Sequence, residues 1–173
     1  MTNKLAIVVS HPIQYYAPVF QLLAKHCDLK VFYTWGVKGA EAKYDPDFKQ
    51  VIAWDLPLLK GYNYSFEQNT ASNPGSHHFS GIINPKLIQQ INDFAPNAIL
   101  VYGWAYKSHL NILRKFKGKI PIWFRGDSNL INAPKNLKSI FRSLFLRYVY
   151  HHVNKAFYVG TANKAYYKKF GLK

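Results

Sequence analysis

Short apolar runs without alternation, separated by segments of helical periodicity, limit most strongly what this chain can fold into. Residues 5–10, 98–102 and 120–124 are apolar at nearly every position. A strand with one face in water alternates between apolar and polar side chains, whereas a strand covered by helices on both faces does not. The runs therefore predict central strands of a parallel sheet.

The order of these segments along the chain predicts the fold class. We expect strands at residues 5–10, 29–34, 51–55, 98–102, 120–124 and 155–159, and helices at residues 15–25, 85–94, 107–116, 137–153 and 161–170. Thr161 is the expected cap of the last helix and Gly171 its stop. Residues 60–84, rich in Asn, Ser and Gly, are expected to form a long loop. Strands that alternate with helices are typical of a doubly wound α/β fold with a mostly parallel sheet.

Positive charge is concentrated in the second half of the chain. The 173 residues carry a net charge of +15, and residues 101–173 account for +14 of it, with Asp127 as their single acid. Such an imbalance indicates an anionic partner: phosphate, nucleic acid or an anionic membrane surface. The plain alternative is a surface that only keeps the protein in solution.

Composition also bears on the compartment. A hydrophobic share of 49 % excludes a disordered chain, and the single cysteine, Cys27, excludes a disulfide framework. Cys27 closes the first predicted helix, which favours a packed side chain over a nucleophile. The longest apolar runs are about 5 residues, against the roughly 20 needed to span a bilayer. We therefore expect a soluble, cytoplasmic protein.

Side chains suited to chemistry cluster where the predicted strands end. In open parallel sheets, ligands bind beyond the carboxyl ends of the strands. The loops at these ends span residues 10–16, 103–106, 125–128 and 160–163, and they carry histidine, arginine, aspartate, hydroxyl and aromatic side chains. Such a cleft suits a polyhydroxylated ligand, whose hydroxyls bind Asp and Gln while its apolar faces stack on Trp and Tyr.

Two of these side chains leave alternatives open. His11 is either a structural histidine beside the first strand or a ligand contact. Asp127 either pairs with Arg125 or another nearby cation, or it contacts a ligand or acts as a base. Spacing alone does not choose between these roles.

Several well-known site motifs are missing from the chain. The adjacent pairs His77-His78 and His151-His152 have no further ligands at metal spacing, so no metal site is expected. The chain contains neither GxGxxG nor GxxxxGK[ST], and no serine lies in GxSxG. Neither a dinucleotide site, a phosphate loop nor a serine nucleophile elbow is therefore indicated.

The helix at residues 137–153 combines apolar side chains with three cations, Lys138, Arg142 and Arg147. One interpretation is a helix packed on the sheet with a solvated basic flank. The other is an interfacial helix whose cations reach anionic headgroups, each contributing roughly 1 kcal/mol near such a surface.

Two segments near the ends of the chain resemble a known family. Residues 10–18 read Ser-His-Pro-Ile-Gln-Tyr-Tyr-Ala-Pro, and residues 157–163 read Phe-Tyr-Val-Gly-Thr-Ala-Asn, followed by Tyr166-Tyr167 and by Phe-Gly-Leu at residues 170–172. With the order of elements, these segments resemble the N-terminal domain of family 4-like glycosyltransferases. Those enzymes have the GT-B architecture, in which two Rossmann-like domains face each other across a cleft.

The resemblance implies that residues 1–173 are the acceptor-binding half of an enzyme. A second domain of roughly 150–200 residues would bind the nucleotide-sugar donor, and the first domain alone would be inactive. The family implies a retaining hexosyltransferase of cell-envelope polysaccharide or lipopolysaccharide synthesis, with no metal and no cofactor besides the donor as co-substrate. The implied partner is a glycan or lipid-linked glycan on the cytoplasmic side, with peripheral contact to the inner face of the membrane.

The resemblance also suggests site residues. His11, Gln14 and Tyr15 would lie near the acceptor or the transferred sugar, and Trp104 would offer a stacking face. Many relatives have a histidine directly after the strand at residues 120–124, where this chain has Arg125-Gly126-Asp127. Arg125 and Asp127 would orient acceptor hydroxyls or phosphate.

The departure at residues 125–127 leaves the catalytic group open. Asp127 and His109 are the candidates to replace the family histidine. Lys138, Arg142 and Arg147 are the expected membrane or anion contacts.

The alternative function is a non-enzymatic basic α/β domain that binds nucleic acid or another anionic ligand. Charge and aromatic content alone would allow it. The cations follow neither a helix-turn-helix nor an RNA-recognition pattern, so nucleic acid is not the favoured partner. A stand-alone flavodoxin-like protein that binds a small molecule is a third possibility.

Overall fold

The computed structural model describes residues 3–39, 43–45, 50–52, 57–131 and 137–172. The strands are β1 (Lys4–Val9), β2 (Asp28–Tyr33), β3 (Lys43–Asp45), β4 (Gln50–Ile52), β5 (Asn63–Phe66), β6 (Ala98–Tyr102), β7 (Ile122–Arg125) and β8 (Lys155–Phe157). The helices are α1 (Ala17–Leu23), α2 (Leu87–Phe94), α3 (Lys107–Phe116), α4 (Leu137–Tyr150) and α5 (Thr161–Lys169). None of these helices is long and apolar enough to cross a lipid bilayer.

Six of the strands form one parallel sheet in the order β5-β2-β1-β6-β7-β8. Each neighbouring pair runs parallel, as in the β1–β2 register from Lys4↔Asp28 to Val9↔Tyr33. From β1 the chain builds outwards through β2 and β5, then crosses to the other side of β1 and continues through β6, β7 and β8. This is the strand order of a Rossmann-like, doubly wound sheet, which confirms the predicted α/β fold class.

Alternate residues of the central strands supply two separate cores, which makes the domain a three-layer sandwich. Ala6 and Val8 of β1 belong to the core that the sheet shares with α2, α3, α4 and α5. Ile7 and Val9 belong to the core on the opposite face, under α1. Because both faces of β1 are covered, neither set of alternate side chains meets water. The strand is therefore apolar at consecutive positions.

One loop prediction and one strand prediction need correction. The segment at residues 60–84 contains β5, an edge strand that pairs only with β2, so it is not a loop throughout. β5 reads Asn-Tyr-Ser-Phe, and its alternation is that of a half-exposed edge rather than of a buried run. The strand predicted at residues 51–55 is formed in part by β4. It pairs antiparallel with β3 in a separate sheet, and residues 53–55 lie outside the described residues.

The helix ends match the ends predicted from the sequence at some positions and differ from them at others. α3 spans Lys107–Phe116, as predicted. α5 begins at Thr161 itself and Gly160 precedes it without any side-chain cap, so the predicted Thr161 cap is wrong. Gly171 has a φ of +97°, the left-handed conformation that glycine adopts freely at the end of a helix, so the predicted stop is confirmed.

Candidate functional site

A cavity of about 300 Å³ opens at the crossover of the sheet, where β1 and β6 lead into loops on opposite sides. The loop after β1 contributes Ser10, Tyr15 and Tyr16 to its wall. Residues 102–106, at the end of β6 and in the loop after it, and residues 124–128, in β7 and its following loop, complete most of the lining. The carboxyl ends of the strands at such a crossover leave a crevice, because adjacent connections depart to opposite faces.

Three neighbouring tyrosine rings line the cavity. The Tyr16 ring lies 4.5 Å from the Tyr102 ring and 4.5 Å from the Tyr15 ring, centroid to centroid. Burial raises the pKa of Tyr102 to about 12, and burial together with the nearby Asp127 charge raises the pKa of Tyr16. Both phenols are therefore neutral at physiological pH and offer hydroxyl groups that donate and accept hydrogen bonds.

An ion pair also lines the cavity. The Arg125 Nη1 atom donates to Asp127 Oδ1 at 2.6 Å, and the guanidinium carbon lies 5.4 Å from the centre of the Tyr16 ring. Burial alone would lower the pKa of Arg125, but the hydrogen bond to Asp127 together with the electrostatic effects of Tyr16, Asp127 and Tyr102 outweighs it, and the pKa is raised. The Asp127 side chain remains 59 % exposed, so pairing with Arg125 and contact with a ligand are compatible in one geometry.

Helix α5 fixes the loop that carries Asp127 from both sides. The Tyr167 hydroxyl donates to the Gly126 carbonyl at 2.7 Å, and Asn163 Nδ2 donates to the Ser128 carbonyl at 2.6 Å. Asn163 and Tyr167 are each 3 % exposed, so neither bond competes with bulk water. The two side chains act on the site through the loop and are positioning residues.

Removal of the Tyr167 hydroxyl is expected to loosen this loop. Tyr167→Phe leaves the Gly126 carbonyl without its donor and is expected to lower the free energy of unfolding by about 1 kcal/mol. Amide hydrogen exchange at residues 126–128 should accelerate, while exchange in β1 stays as in the wild type. Tyr158→Phe, which changes a half-exposed tyrosine near the same helix, is the matched control. Equal effects of the two substitutions would show that the Tyr167 hydroxyl does not hold the loop at residues 126–128.

His109 lies beneath this region and does not line the cavity. Its Nδ1 atom donates to the carbonyls of Tyr102 and Gly103, both at 3.1 Å, and the Thr34 hydroxyl donates to its Nε2 atom at 2.8 Å. The side chain is fully buried, and this burial lowers its pKa to about 4. A neutral histidine without exposed atoms joins the ends of β2 and β6, and this geometry gives it a positioning role.

The other predicted site residues divide into two groups. Tyr15 and Trp104 line the cavity together with Arg125 and Asp127. His11 and Gln14 do not line it: His11 is half-buried, with its ring 5.5 Å from that of Trp35, and Gln14 is exposed. Ser10 Oγ and His11 Nδ1 lie 2.9 Å apart, which orients the imidazole beside the end of β1.

The outer surface of α4 is apolar as well as basic. Its inward residues Leu146, Val149 and Tyr150 are buried in the core. The α4 outer face consists of Ile140, Phe141, Leu144, Phe145 and Tyr148, all exposed, together with the exposed cations Arg142 and Arg147. The side chain of Lys138 lies outside the described residues. Phe145 also contacts the cavity residue Trp104, with ring centroids 5.3 Å apart, so the α4 outer face adjoins the cavity.

The geometry of the sheet and of its cavity defines the class of domain. Within the described ranges, no three His, Cys, Asp or Glu side chains come close enough to hold a metal ion. The chain is a Rossmann-like α/β domain with an aromatic cavity at the crossover of its sheet. No family model, curated protein or solved structure matches the chain.

Proposed function

We propose that this domain binds the glycan acceptor of a nucleotide-sugar-dependent glycosyltransferase, and that it does so at an anionic membrane surface. The observation that carries the proposal is the cavity at the sheet crossover, in which tyrosines and Trp104 surround the Arg125–Asp127 pair. A donor sugar would be bound by a domain outside this chain. The resemblance of residues 10–18 and 157–163 to family 4-like glycosyltransferases supports this choice over other ligands.

The residues of the cavity suit recognition of a sugar. A sugar ring has apolar faces of C–H groups and a rim of hydroxyls, so it packs on aromatic rings and bonds to charged groups at its edge. Trp104 and Tyr15 would supply the rings. Asp127 would accept a hydrogen bond from an acceptor hydroxyl, and Arg125 would hold the carboxylate in place and bind a phosphate or hydroxyl oxygen.

The same residues suggest how the acceptor would be prepared for transfer. Asp127 would orient the attacking acceptor hydroxyl and take up its proton as the new glycosidic bond forms. In the same step the bond between the donor sugar and its nucleotide phosphate would break, and the nucleotide would leave with the electron pair. The neutral phenols of Tyr16 and Tyr102 would donate to sugar oxygens without adding a charge to the cavity. His109 would keep the ends of β2 and β6 in register beneath the acceptor. In this mechanism Asp127, and not His109, contacts the reacting hydroxyl.

The α4 outer face would place the cavity at a membrane. Exposed aromatic side chains insert at the headgroup boundary, and arginines bind anionic headgroups. Since Phe145 touches Trp104, a lipid-linked glycan held in the membrane beside α4 would reach the cavity over a short distance. The excess of cations in residues 101–173 favours an anionic surface.

The proposal is tested by binding of the chain to immobilised fragments of cell-envelope polysaccharides and lipopolysaccharide cores. Asp127→Asn preserves shape and removes the charge, and it is expected to weaken binding about tenfold, since a hydrogen bond to a charged group contributes about 1.5 kcal/mol. Asp93→Asn makes the same charge change at an exposed position of α2 and should leave binding unchanged. Transfer of sugar from nucleotide-sugar donors by the full-length gene product is the second readout.

The rival function gives a different outcome in the same experiments. A nucleic-acid-binding domain would prefer oligonucleotides, and its affinity would fall steeply with salt as phosphate counterions are released. The protein would then bind oligonucleotides tightly and in a salt-sensitive way, Asp127→Asn would leave that binding unchanged or strengthen it, and glycans would not bind. This combination of results would replace our proposal by the nucleic-acid-binding function.

A further inference from the structure

The face of the sheet on which α1 packs is covered unevenly. Helices α2, α3, α4 and α5 pack on the opposite face, whereas α1 is the one helix in the described ranges that contributes to the core on this side. The buried residues of that core come from β1, β2, β6 and the start of α1, where Tyr16 and Phe20 lie. β7 and β8 follow β6 at the end of the sheet and lie outside this core.

Four side chains of β7 and β8 point to the α1 side and form what we call the open β7–β8 surface: Trp123, Arg125, Lys155 and Phe157. In-register neighbours of a parallel sheet share one face, as do alternate residues of one strand. Trp123 packs at the margin of the α1-side core, which identifies that face. The Arg125 guanidinium lies against the Tyr16 ring on the same side. Lys155 and Phe157 are exposed, and the other two are half-buried.

The composition of this surface differs from that of a face covered by a helix. On their other face, β7 and β8 carry Ile122, Phe124 and Ala156, all packed in the core with α4 and α5. The open β7–β8 surface has two aromatic rings and two cations instead, and Phe157 is 42 % exposed. Aromatic rings beside cations suit a ligand that combines apolar ring faces with negative charge.

The aromatic rings lie on one diagonal of this surface and the cations on the other. The ring centroids of Trp123 and Phe157 are 5.8 Å apart, with an angle of 77° between the ring planes. Lys155 Nζ lies 6.0 Å from the centre of the Trp123 ring, and its flexible, exposed stem allows it to turn towards a ligand. Arg125 donates to Asp127 through Nη1, which uses one of the five N–H groups of a guanidinium. Positive charge therefore borders the aromatic pair on two sides.

Arg125 joins the open β7–β8 surface to the larger cavity, because it also lines that cavity. Phe157 is its in-register neighbour on β8, and adjacent strands are about 4.8 Å apart. A sugar held in the cavity would therefore have the next sugar of its chain over Phe157 and Trp123. The C–H groups of this second sugar would pack on the rings, and a carboxylate on it would reach Lys155.

We propose that the open β7–β8 surface binds a second, carboxylate-bearing sugar of the acceptor, so that the acceptor is an acidic oligosaccharide. This inference rests on the proposed function, which places the first sugar in the cavity. A neutral glycan would make no use of the Lys155 charge. Nucleic acid also combines rings with negative charge, but Asp127 at the adjoining cavity repels a phosphate chain.

The test is calorimetric titration of the chain, at physiological ionic strength, with trimers of galacturonic acid and of mannuronic acid and with the two monomers. We expect one of the trimers to bind about tenfold more tightly than its monomer, because the second sugar adds a ring contact and a charged hydrogen bond. Lys155→Gln should weaken binding of that trimer about tenfold and leave binding of its neutral methyl ester unchanged. Phe157→Ser should weaken binding of both forms.

Two matched variants control for the overall charge and for exposed aromatic surface. Phe79→Ser removes a phenylalanine that is 41 % exposed and lies outside the open β7–β8 surface. Lys115→Gln removes an exposed cation of α3, on the opposite face of the sheet. Both variants should bind the trimers as the wild type does. The indole N–H signal of Trp123 should shift in NMR spectra when the trimer binds, but not when the monomer does.

The outcomes separate this inference from the proposed function. If Asp127→Asn weakens binding while Lys155→Gln and Phe157→Ser do not, the inference is overturned and the acceptor cavity stands. If Lys155→Gln and Phe157→Ser alone weaken binding, the surface binds acidic sugars and the role of Asp127 in the cavity falls.

Three further results would overturn the inference. Neither trimer binds more tightly than its monomer, or the control variants lose as much affinity as Lys155→Gln and Phe157→Ser. In the third, an oligothymidylate binds more tightly than either trimer and loses affinity in Phe157→Ser, which makes the surface a nucleic-acid site. Lys155 is exposed, so Lys155→Gln decides the question even if Phe157→Ser does not fold.

Discussion

Replacement of Phe141 and Leu144 together by serine is expected to weaken binding of the protein to anionic vesicles about a hundredfold. The two side chains are 75 % and 60 % exposed on the α4 outer face, and neither is needed to complete the core. Their transfer from water into the interface contributes about 1.5 kcal/mol each, and 1.4 kcal/mol corresponds to a factor of ten. The free energy of unfolding should stay the same or rise, because exposed apolar surface is removed.

The measurement is co-sedimentation with vesicles of phosphatidylglycerol and phosphatidylcholine. The control is Leu22→Ser with Val37→Ser, which removes two side chains that are 57 % and 61 % exposed elsewhere on the domain. The control should bind as the wild type does. Equal losses in both double variants would show nonspecific hydrophobic adsorption and would contradict a role for α4.

A charge variant separates the electrostatic contribution to vesicle binding from the contribution of the apolar side chains. Arg142→Gln with Arg147→Gln is expected to lower affinity for anionic vesicles by more than tenfold, since each cation near such a surface contributes about 1 kcal/mol. It should have no effect on vesicles of phosphatidylcholine alone. The serine variant, in contrast, should lose affinity for both.

The sequence predicts the central part of the fold well for a physical reason. Residues 5–10 and 98–102 are apolar at nearly every position because helices cover both faces of β1 and β6. The local sequence alone therefore predicts that these strands are buried on both faces. β5 lies at the edge and has polar positions like those of a turn, and it is defined only by its pairing with β2. Edge strands depend on long-range contacts that a local pattern does not contain.

The candidate site is predictable in position but not in detail. The rule that ligands bind at strand ends locates Tyr15, Trp104, Arg125 and Asp127 at one cavity. It does not distinguish them from His11 and Gln14, which lie on the same loop as Tyr15 but outside the lining. The loop bends after β1, and which of its side chains turn inward depends on packing against β6.

Residues that act through another element escape sequence reasoning altogether. Tyr167 reaches the Gly126 carbonyl across 41 positions of the chain, and Asn163 reaches the Ser128 carbonyl across 35. The conjunction of Asn and Tyr four residues apart on a helix is a weak signal, since a helix places such residues on one face for any purpose. Only the parallel arrangement of β7 and β8 brings that face to the loop.

Acidification is expected to destabilise the domain through one buried side chain, His109. Its pKa is lowered from 6.5 to about 4 by burial in the native state, whereas the unfolded chain restores the ordinary value. Between these two values the unfolded state binds a proton that the native state does not, so stability falls as pH decreases. The contribution is complete above pH 6.5 and is lost progressively towards pH 4, by about 3 kcal/mol in total.

His109→Gln isolates this contribution. The variant is expected to be less stable at pH 7 by about 2 kcal/mol, because the Thr34 hydroxyl and the Tyr102 and Gly103 carbonyls lose part of their hydrogen bonding. Its stability should then depend less on pH than that of the wild type, so the two curves converge as the pH falls and cross before pH 4, because the wild type loses about 3 kcal/mol over this range. Urea unfolding at a series of pH values measures the loss of stability at pH 7 and the dependence of stability on pH. The control is His26→Gln, which changes an exposed histidine and should follow the wild type. Parallel curves for wild type and His109→Gln would mean that His109 binds its proton at the same pH in the native domain as in the unfolded chain, which would contradict the lowered pKa of His109.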